Sequence, residues 1–357
     1  MDLDAATKTI SRAVCDLRNI PRFRPSSRGE WAVGRDTILV TGAGGSIGSH
    51  LIRHILDILG GQAVFALDND DTALQRLCSA GQGRSPEPIL CDVRDRETLT
   101  AAFRMCSPRY VIHCAALKHV DLLERFPREA VLTNVVGTTN VLRASQNYGS
   151  TVINLSSDKA ASATNVLGQS KRITEGLVAQ HARMHNTKSV SIRLGNVLGS
   201  RGSALEIFVQ RALAGLPIEV ADPGMTRYFM SYDEVLALIF FCLSVELPSG
   251  ACVIPDLGSP VAIGQLVEII GDVLARKIEI SSSVPRPGDR PRETLLGPQD
   301  IVSNSIQHCG MYIVDPVQIP SETAANLSRV AIDGDLRRSL HALSLGIPER
   351  ALETAWV

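Results

Sequence analysis

The sequence has no surplus of charge: 36 Lys and Arg stand against 37 Asp and Glu, a formal net charge of −1 at pH 7. A chain so balanced has no field to gather nucleic acid or an anionic membrane surface, so neither is an expected partner and small molecules are. It also lacks the run of about 18 charge-free apolar residues that a membrane span needs. Its first stretch, MDLDAATKTISRAVCDLRNI, has no unbroken apolar core of the signal-peptide kind. Those absences make the cytoplasm the expected location. The eight cysteines (Cys15, Cys78, Cys91, Cys106, Cys114, Cys242, Cys252 and Cys309) form no CxxC pair and no cluster with histidine. That spacing argues against zinc and against a disulfide framework, so the cysteines read as reduced core residues and no metal is expected. Internal repeats and low-complexity tracts are missing as well.

What the sequence does have is apolar content, 45% over 357 residues, which is more than a single core takes up without subdivision. The first 35 residues combine a weakly amphipathic segment, Ala5 to Leu17, with the connector PRFRPSSRGEW, and read as an arm suited to an oligomer contact. From Thr37 strands alternate with amphipathic helices: ILVTGAGG, SHLIRHILDIL, AVFALD, DDTALQRLCSA, PILCDV, ETLTAAFRMC, YVIHCAA, AVLTNVVGTTNVLRASQNY, TVINLSS, a long helix near Gly168 to His185, and SVSIRLGN. This alternation implies right-handed βαβ units, hence an α/β fold with a doubly wound parallel sheet of the Rossmann type. Residues 36–200 are the expected dinucleotide-binding domain. Residues 201–357, where helices such as ALEIFVQRALAG and SYDEVLALIFFCLSV dominate, are expected to form mainly a smaller substrate-binding lobe, with some segments returning to the main sheet.

The glycines Gly42, Gly45 and Gly48 of Thr41-Gly42-Ala43-Gly44-Gly45-Ser46-Ile47-Gly48 follow a strand and open a helix. In that context the first permits a tight turn, the second admits a pyrophosphate to the backbone, and the third packs helix on strand. A bare glycine pattern would mean little; this placement marks a nicotinamide dinucleotide site that includes Thr41, Ser46 and Ile47. Asp68 ends the next strand, where a carboxylate accepts the adenosine ribose hydroxyls and repels a 2′-phosphate. Asn69 and Asp70 follow with no arginine beside them, so NAD is favoured, with NADP the alternative. Asp92 and Val93 end the third strand, where the carboxylate either meets the adenine or caps a helix. After the fourth strand, His113-Cys114-Ala115-Ala116 puts small residues where the backbone passes the nicotinamide side.

Several longer segments carry a resemblance: TGAGGSIGSHL, AALKHVDLLERFP, TNVVGTTNV, SSDKAASATNVLGQSKR, RLGNVLGSRGS, MTRYFMSYDEV and RPGDRPRETL. In this order, over residues 37–296, they resemble the extended short-chain dehydrogenases, in the polysaccharide-biosynthesis branch of nucleotide-sugar 4,6-dehydratases. The resemblance implies an internal redox cycle: hydride leaves sugar C4 for NAD, water is lost across C5 and C6, and the hydride returns to C6. Such chemistry needs an acid and a base held beside the nicotinamide.

By that resemblance Asp158 is the acid and Lys159 the base, with Ser157 beside them. The reading of the bare sequence would be a strand-end ion pair. Lys171 matches the lysine of the Tyr-x-x-x-Lys site and would hold the nicotinamide ribose, but Leu167 stands where the tyrosine belongs. The C4 proton would then travel through Asp158, Ser156, Ser157 or a water. Lys118 is a candidate for both cofactor and sugar, and Thr164 and Asn165 complete a polar wall. Asn196 ends the last major strand. Arg201, Arg227 and Arg286 occupy motif positions that imply contact with a nucleotide diphosphate, which suits the bidentate guanidinium. His119 reads equally as structural.

Three functions follow from these residues. The first is a UDP-N-acetylhexosamine 4,6-dehydratase with tightly held NAD. The second is a reductase or epimerase of an oxidised sugar or aminosugar in small-molecule biosynthesis such as antibiotic assembly, motivated by Leu167 and the divergent KAASATNVLGQ. The third is a non-catalytic NAD-binding regulator, against which the joint presence of Asp158, Lys159 and Lys171 argues.

Overall fold

Ile38–Thr41 (β1) is buried at all four positions, as a strand covered on both faces must be. A computed structural model describes residues 2–18, 36–59, 63–79, 84–302, 310–316 and residues 337, 340, 341 and 344. The connector PRFRPSSRGEW and Cys309 lie outside these residues. The strands that follow are Val64–Asp68 (β2), Glu87–Leu90 (β3), Tyr110–His113 (β4), Thr151–Ser157 (β5) and Val190–Leu194 (β6). The short pieces Asn196–Val197 (β7), Ile218–Val220 (β8), Thr226–Arg227 (β9) and Phe229–Met230 (β10) come next. Cys252–Pro255 (β11), Val261–Ala262 (β12), Ile280–Ser282 (β13), Ile301–Val302 (β14) and Met311–Asp315 (β15) complete the set.

The main sheet runs β3-β2-β1-β4-β5-β6-β11-β15-β14. It is parallel through β11, and β15 and β14 close it with antiparallel pairing. The chain winds outward from β1 to β3, then restarts at β4 on the other side of β1. That reversal opens a crevice at the carboxyl ends of β1 and β4, where open sheets of this kind bind ligands.

Alternation along the strands sorts the core onto two faces. Ile38 and Val40 join the helices Ser46–Leu59 (α2) and Tyr232–Ser244; Leu39 joins Arg96–Cys106 and Val166–Met184 on the other. In chain order the helices after α2 are Asp71–Ser79 (α3), Arg96–Cys106 (α4), Val120–Arg125 (α5), Pro127–Ala130 (α6), Gly137–Gln146 (α7) and Val166–Met184 (α8). Ala204–Leu213 (α9), Tyr232–Ser244 (α10) and Ile263–Leu274 (α11) follow. Thus α10 packs against the main sheet and β11 is one of its strands.

The N-terminal segment forms a helix, Leu3–Asp16 (α1), capped by Asp2, whose side chain accepts from the Ala5 amide at 2.8 Å. Its apolar stripe, Ala6, Ile10 and Val14, is fully buried in a third core with residues of α9 and α11. That stripe is therefore covered within the chain by α9 and α11. The stretch AVLTNVVGTTNVLRASQNY is not one regular helix either: Val131–Val136 form a turn of π-helix between α6 and α7. Such turns realign side chains within a helix, and this one carries Asn134.

Candidate active site

The turn after β1 is shaped for close approach. Gly42 has φ +65°, and a Cβ there would lie 2.6 Å from the Ala115 nitrogen. A Cβ on Gly48 would lie 2.3 Å from the Gly42 carbonyl oxygen, and one on Gly45 3.0 Å from it. Bare backbone thus leads into the N-terminus of α2 at Ser46 and Ile47, where amide groups and the helix dipole favour a phosphate. Asp68 stands at the mouth of this turn and accepts from the Gly44 amide at 2.8 Å and the Asp70 amide at 3.0 Å. The cradle and its flanking carboxylate fit NAD.

Below the turn, Thr41 Oγ1 lies 2.7 Å from His113 Nδ1, His113 Nε2 lies 3.0 Å from Thr138 Oγ1, and Thr138 Oγ1 donates to the Asn134 carbonyl at 2.5 Å. The Thr138 hydroxyl has one proton and spends it on Asn134, so His113 donates through Nε2 and accepts from Thr41 through Nδ1. Burial, with a contribution from Lys171, lowers the His113 pKa to about 3, in keeping with this neutral tautomer. Asn134 in turn accepts from the Leu117 amide at 2.8 Å and donates to Ser170 Oγ at 3.0 Å, which ties the loop after β4 to α8.

Asp92 is not the cap of α4. Asp95 is, accepting from the Glu97 and Thr98 amides at 2.9 and 3.3 Å, while Asp92 pairs with Arg94 at 2.8 Å. Asn69 Nδ2 lies 3.5 Å from Asp92, and the Val93 carbonyl accepts from Asn140 at 3.0 Å. Ala116 follows Ala115 in the loop that crosses the glycine turn. Burial raises the Cys114 pKa to about 12, so its thiol keeps its proton.

The carboxyl end of β5 brings the proposed acid–base residues together. Lys159 Nζ lies 3.1 Å from Asp158 Oδ1, and Ser157 Oγ donates to the same oxygen at 2.9 Å. Asp158 is 1% exposed, and Asn196 Nδ2 lies 3.5 Å from its Oδ2. Ser156, on the opposite face of the strand, donates instead to Glu175 at 2.6 Å. Lys171 donates to the Leu155 carbonyl at 2.8 Å, and its pKa is lowered to about 8 by burial, against opposing effects of Cys114 and Glu175. Leu167, one turn earlier on α8, is buried and apolar.

On the substrate side the expected residues scatter. Asn165 caps α8, accepting from the Gly168 amide at 2.8 Å, and donates to the Gly288 carbonyl at 3.0 Å, so its amide is committed to structure. Thr164 beside it is exposed. Lys118 Nζ donates to the Arg201 carbonyl at 2.8 Å. Arg201 reaches the glycine turn itself, donating to the Gly44 carbonyl at 2.9 Å and, through its amide, to Ser46 Oγ at 3.0 Å. Arg227 donates to the Thr226 carbonyl at 2.8 Å, and Arg286 sits exposed at a turn where its amide meets Asp289 at 3.3 Å. The three arginines thus have separate partners. His119 sits against Gly202, where a Cβ would fall 2.8 Å from its ring.

One residue was not singled out from the sequence. Glu293 is 4% exposed and places Oε1 3.8 Å from Lys159 Nζ. It lies within RPGDRPRETL, a segment read only for Arg286.

A doubly wound sheet, a glycine cradle at its crossover and Lys171 beneath the end of β5 define an NAD-binding enzyme of the extended short-chain dehydrogenase/reductase class. The chain belongs to the polysaccharide biosynthesis protein family, which matches residues 38–316. It is 35% identical over 279 residues to the probable polysaccharide biosynthesis protein EpsC of Bacillus subtilis, covering 76% of this chain and 46% of that one. The chain thus spans about half the length of curated relatives such as this one and the CapD protein of Staphylococcus aureus. Among solved structures it is similar to Pen from Bacillus thuringiensis, with TM-score 0.71 and 26% identity over 79% of this chain and 90% of that one. It is also similar to the UDP-glucose 4-epimerase of Thermus thermophilus in complex with NAD, with TM-score 0.64 and 26% identity over 73% and 90%. Among the described residues no helix is long and apolar enough to cross a membrane.

Proposed function

We propose that the protein is a nucleotide-sugar 4,6-dehydratase acting on a UDP-N-acetylhexosamine with tightly held NAD. The observation that carries this reading is the Lys159–Asp158 pair, set 3.1 Å apart at the end of β5, the strand whose Leu155 carbonyl accepts from Lys171 at 2.8 Å. When bound, NAD supplies reversible oxidation at sugar C4. The protein's own groups then do the rest. Gly42, Gly45 and Gly48 admit the pyrophosphate, Asp68 receives the adenosine ribose, and Lys171 holds the nicotinamide ribose. Lys159, as a free amine, removes the C5 proton that the C4 ketone has acidified. Ser157, with its hydroxyl on Asp158, is the strand-end group available to the C4 hydroxyl, because Ser156 is engaged by Glu175 and Leu167 has no phenol. Asn196, Lys118, Thr164 and Arg227 are proposed for the nucleotide sugar. Similarity to an epimerase whose name specifies UDP-glucose supports that substrate class.

Incubation with UDP-N-acetylglucosamine should give a product lighter by one water in mass spectrometry, with no net consumption of NADH. Leu167 and the epimerase likeness favour a second reading, a reductase or epimerase of an oxo-sugar. A product that retains its water, with one NAD(P)H oxidised per turnover of an oxo-sugar, establishes the reductase and overturns the dehydratase.

A further inference from the structure

The glycine turn does not stand alone. A second loop, Gly199 to Gly202, lies against it: the Arg201 guanidinium donates to the Gly44 carbonyl at 2.9 Å, and the Arg201 amide donates to Ser46 Oγ at 3.0 Å. Lys118 Nζ holds the same loop, donating to the Arg201 carbonyl at 2.8 Å. Arg201 and Gly202 are exposed, so burial does little to keep the loop in place. These bonds and the footings of the loop must do it.

The footings lead to the N-terminal helix. Gly199 has φ +74°, and a Cβ there would lie 2.8 Å from Thr7 Cγ2 of α1. The Gly199 carbonyl accepts from Tyr232 Oη at 3.3 Å, and the Tyr232 ring stacks on His50 of α2 with centroids 3.8 Å apart. Arg18, just past α1, is 4% exposed; it donates to the Phe229 carbonyl at 2.6 Å and pairs with Glu234. Glu234 closes the capping box of α10, where it accepts from the Ser231 amide at 2.7 Å. Phe229 begins β10, which runs parallel to β7, and the Leu198 amide donates to the Met230 carbonyl at 2.9 Å, one residue before Gly199. Thus α1 meets the loop directly at Thr7, and Arg18 holds the strand and the helix cap on which the loop is built. Helix α1 and Arg18 precede residues 38–316, the part of the chain that matches the family.

We infer that α1 with Arg18 is a positioning element for the cofactor: it holds the loop from Gly199 to Gly202 against the glycine turn, where Arg201 slows the release of NAD. The inference rests on NAD binding and not on which sugar reaction follows. The glycines set the shape of the cradle; the loop sets how long it stays filled. A guanidinium fixed at the turn that receives the pyrophosphate attracts phosphate oxygens, so whatever keeps it there prolongs binding. The motif had implied the substrate's diphosphate for Arg201. Its bonds to Gly44 and Ser46 assign it to the cofactor's.

The test reads NAD release directly. Protein loaded with NAD is mixed with an excess of the fluorescent analogue etheno-NAD, and exchange is followed by fluorescence. Arg201→Ala should speed exchange about tenfold, and Arg201→Lys, which keeps a cation, by less. Arg18→Met should speed it by a similar factor in the otherwise wild-type protein, yet by less than about twofold in the Arg201→Ala background. An element that acts through Arg201 has nothing left to act on there. Urea midpoints of each variant report folding. If Arg18→Met does not fold, Gly199→Ala takes its place: the new methyl meets Thr7, exchange should quicken, and Thr7→Ser, which lacks Cγ2, should restore part of the retention. Unchanged exchange in Arg201→Ala overturns the inference. So do factors that simply multiply in the Arg18→Met, Arg201→Ala double variant or, in its place, no recovery from Thr7→Ser. Each outcome is independent of whether the sugar is dehydrated or reduced.

Discussion

On the proposed cofactor side of the site the groups are backbone atoms within one turn, Thr41 to Gly48, with Gly42 close against Ala115. On the proposed substrate side they are side chains from β5, β7 and the segment from Arg286 to Asp300, with Arg193 and Asp300 bonded across 107 positions of sequence. The first construction depends on missing side chains and survives most changes elsewhere. The second depends on buried charges that satisfy one another, so damage at Arg193 is expected to reach the proposed acid–base residues. Local geometry and long-range electrostatics therefore fail in different ways, and substitutions can separate them.

The largest expected effect on activity lies on the substrate side. Lys159→Ala should lower dehydration by up to about 10⁴-fold and abolish deuterium exchange at C5, with NAD still bound. Exchange that survives removes Lys159 as the base. Next, Arg193→Met leaves Glu175 and Asp300 without their shared cation inside the fold, and should cost about 3–5 kcal/mol in chemical denaturation. A loss below about 1 kcal/mol, the surface-pair range, would show that this network does not anchor the returning segment.

On the cofactor side, Gly42→Ala puts a Cβ into the Ala115 backbone at a positive φ. It should cost about 1–3 kcal/mol and reduce copurified NAD. Full NAD content would show that the cradle tolerates a side chain. The smallest effect concerns His113. Its folded-state pKa of about 3 lies below the ordinary 6.5, so the unfolded chain takes up a proton that the folded protein refuses. The contribution is complete above about pH 6.5 and fades as pH falls toward 3, so stability should decline on acidification. His113→Gln should flatten that decline when urea midpoints are compared at pH 7 and pH 5, and an unchanged slope would contradict it.

The same contrast governs what the sequence discloses. Strand alternation and the glycine spacing made the doubly wound sheet and its crevice legible, because both depend on neighbours in the chain. The roles expected of Asp158, Lys159 and Lys171 came from the resemblance of their segments, and the structure adds that Lys159 meets Asp158 at 3.1 Å while Lys171 meets the Leu155 carbonyl at 2.8 Å. Glu293 was not: nothing within RPGDRPRETL shows that its carboxylate meets a lysine from another strand end. Asn165 was taken for a substrate wall because it is polar and close to the site, yet its position before Val166 makes it a helix cap. The π-turn at Asn134 was hidden as well, since its apolar pattern continues that of the flanking helices.

The central claim is that the hydrogen removed from C4 comes back to the same sugar at C6. UDP-N-acetylglucosamine carrying deuterium at C4 tests this most directly, with the product read by nuclear magnetic resonance. The expected result is a dehydrated product with the deuterium at C6 and no labelled NADH in solution. Deuterium returned only to C4, or released as free NADH, would contradict the claim.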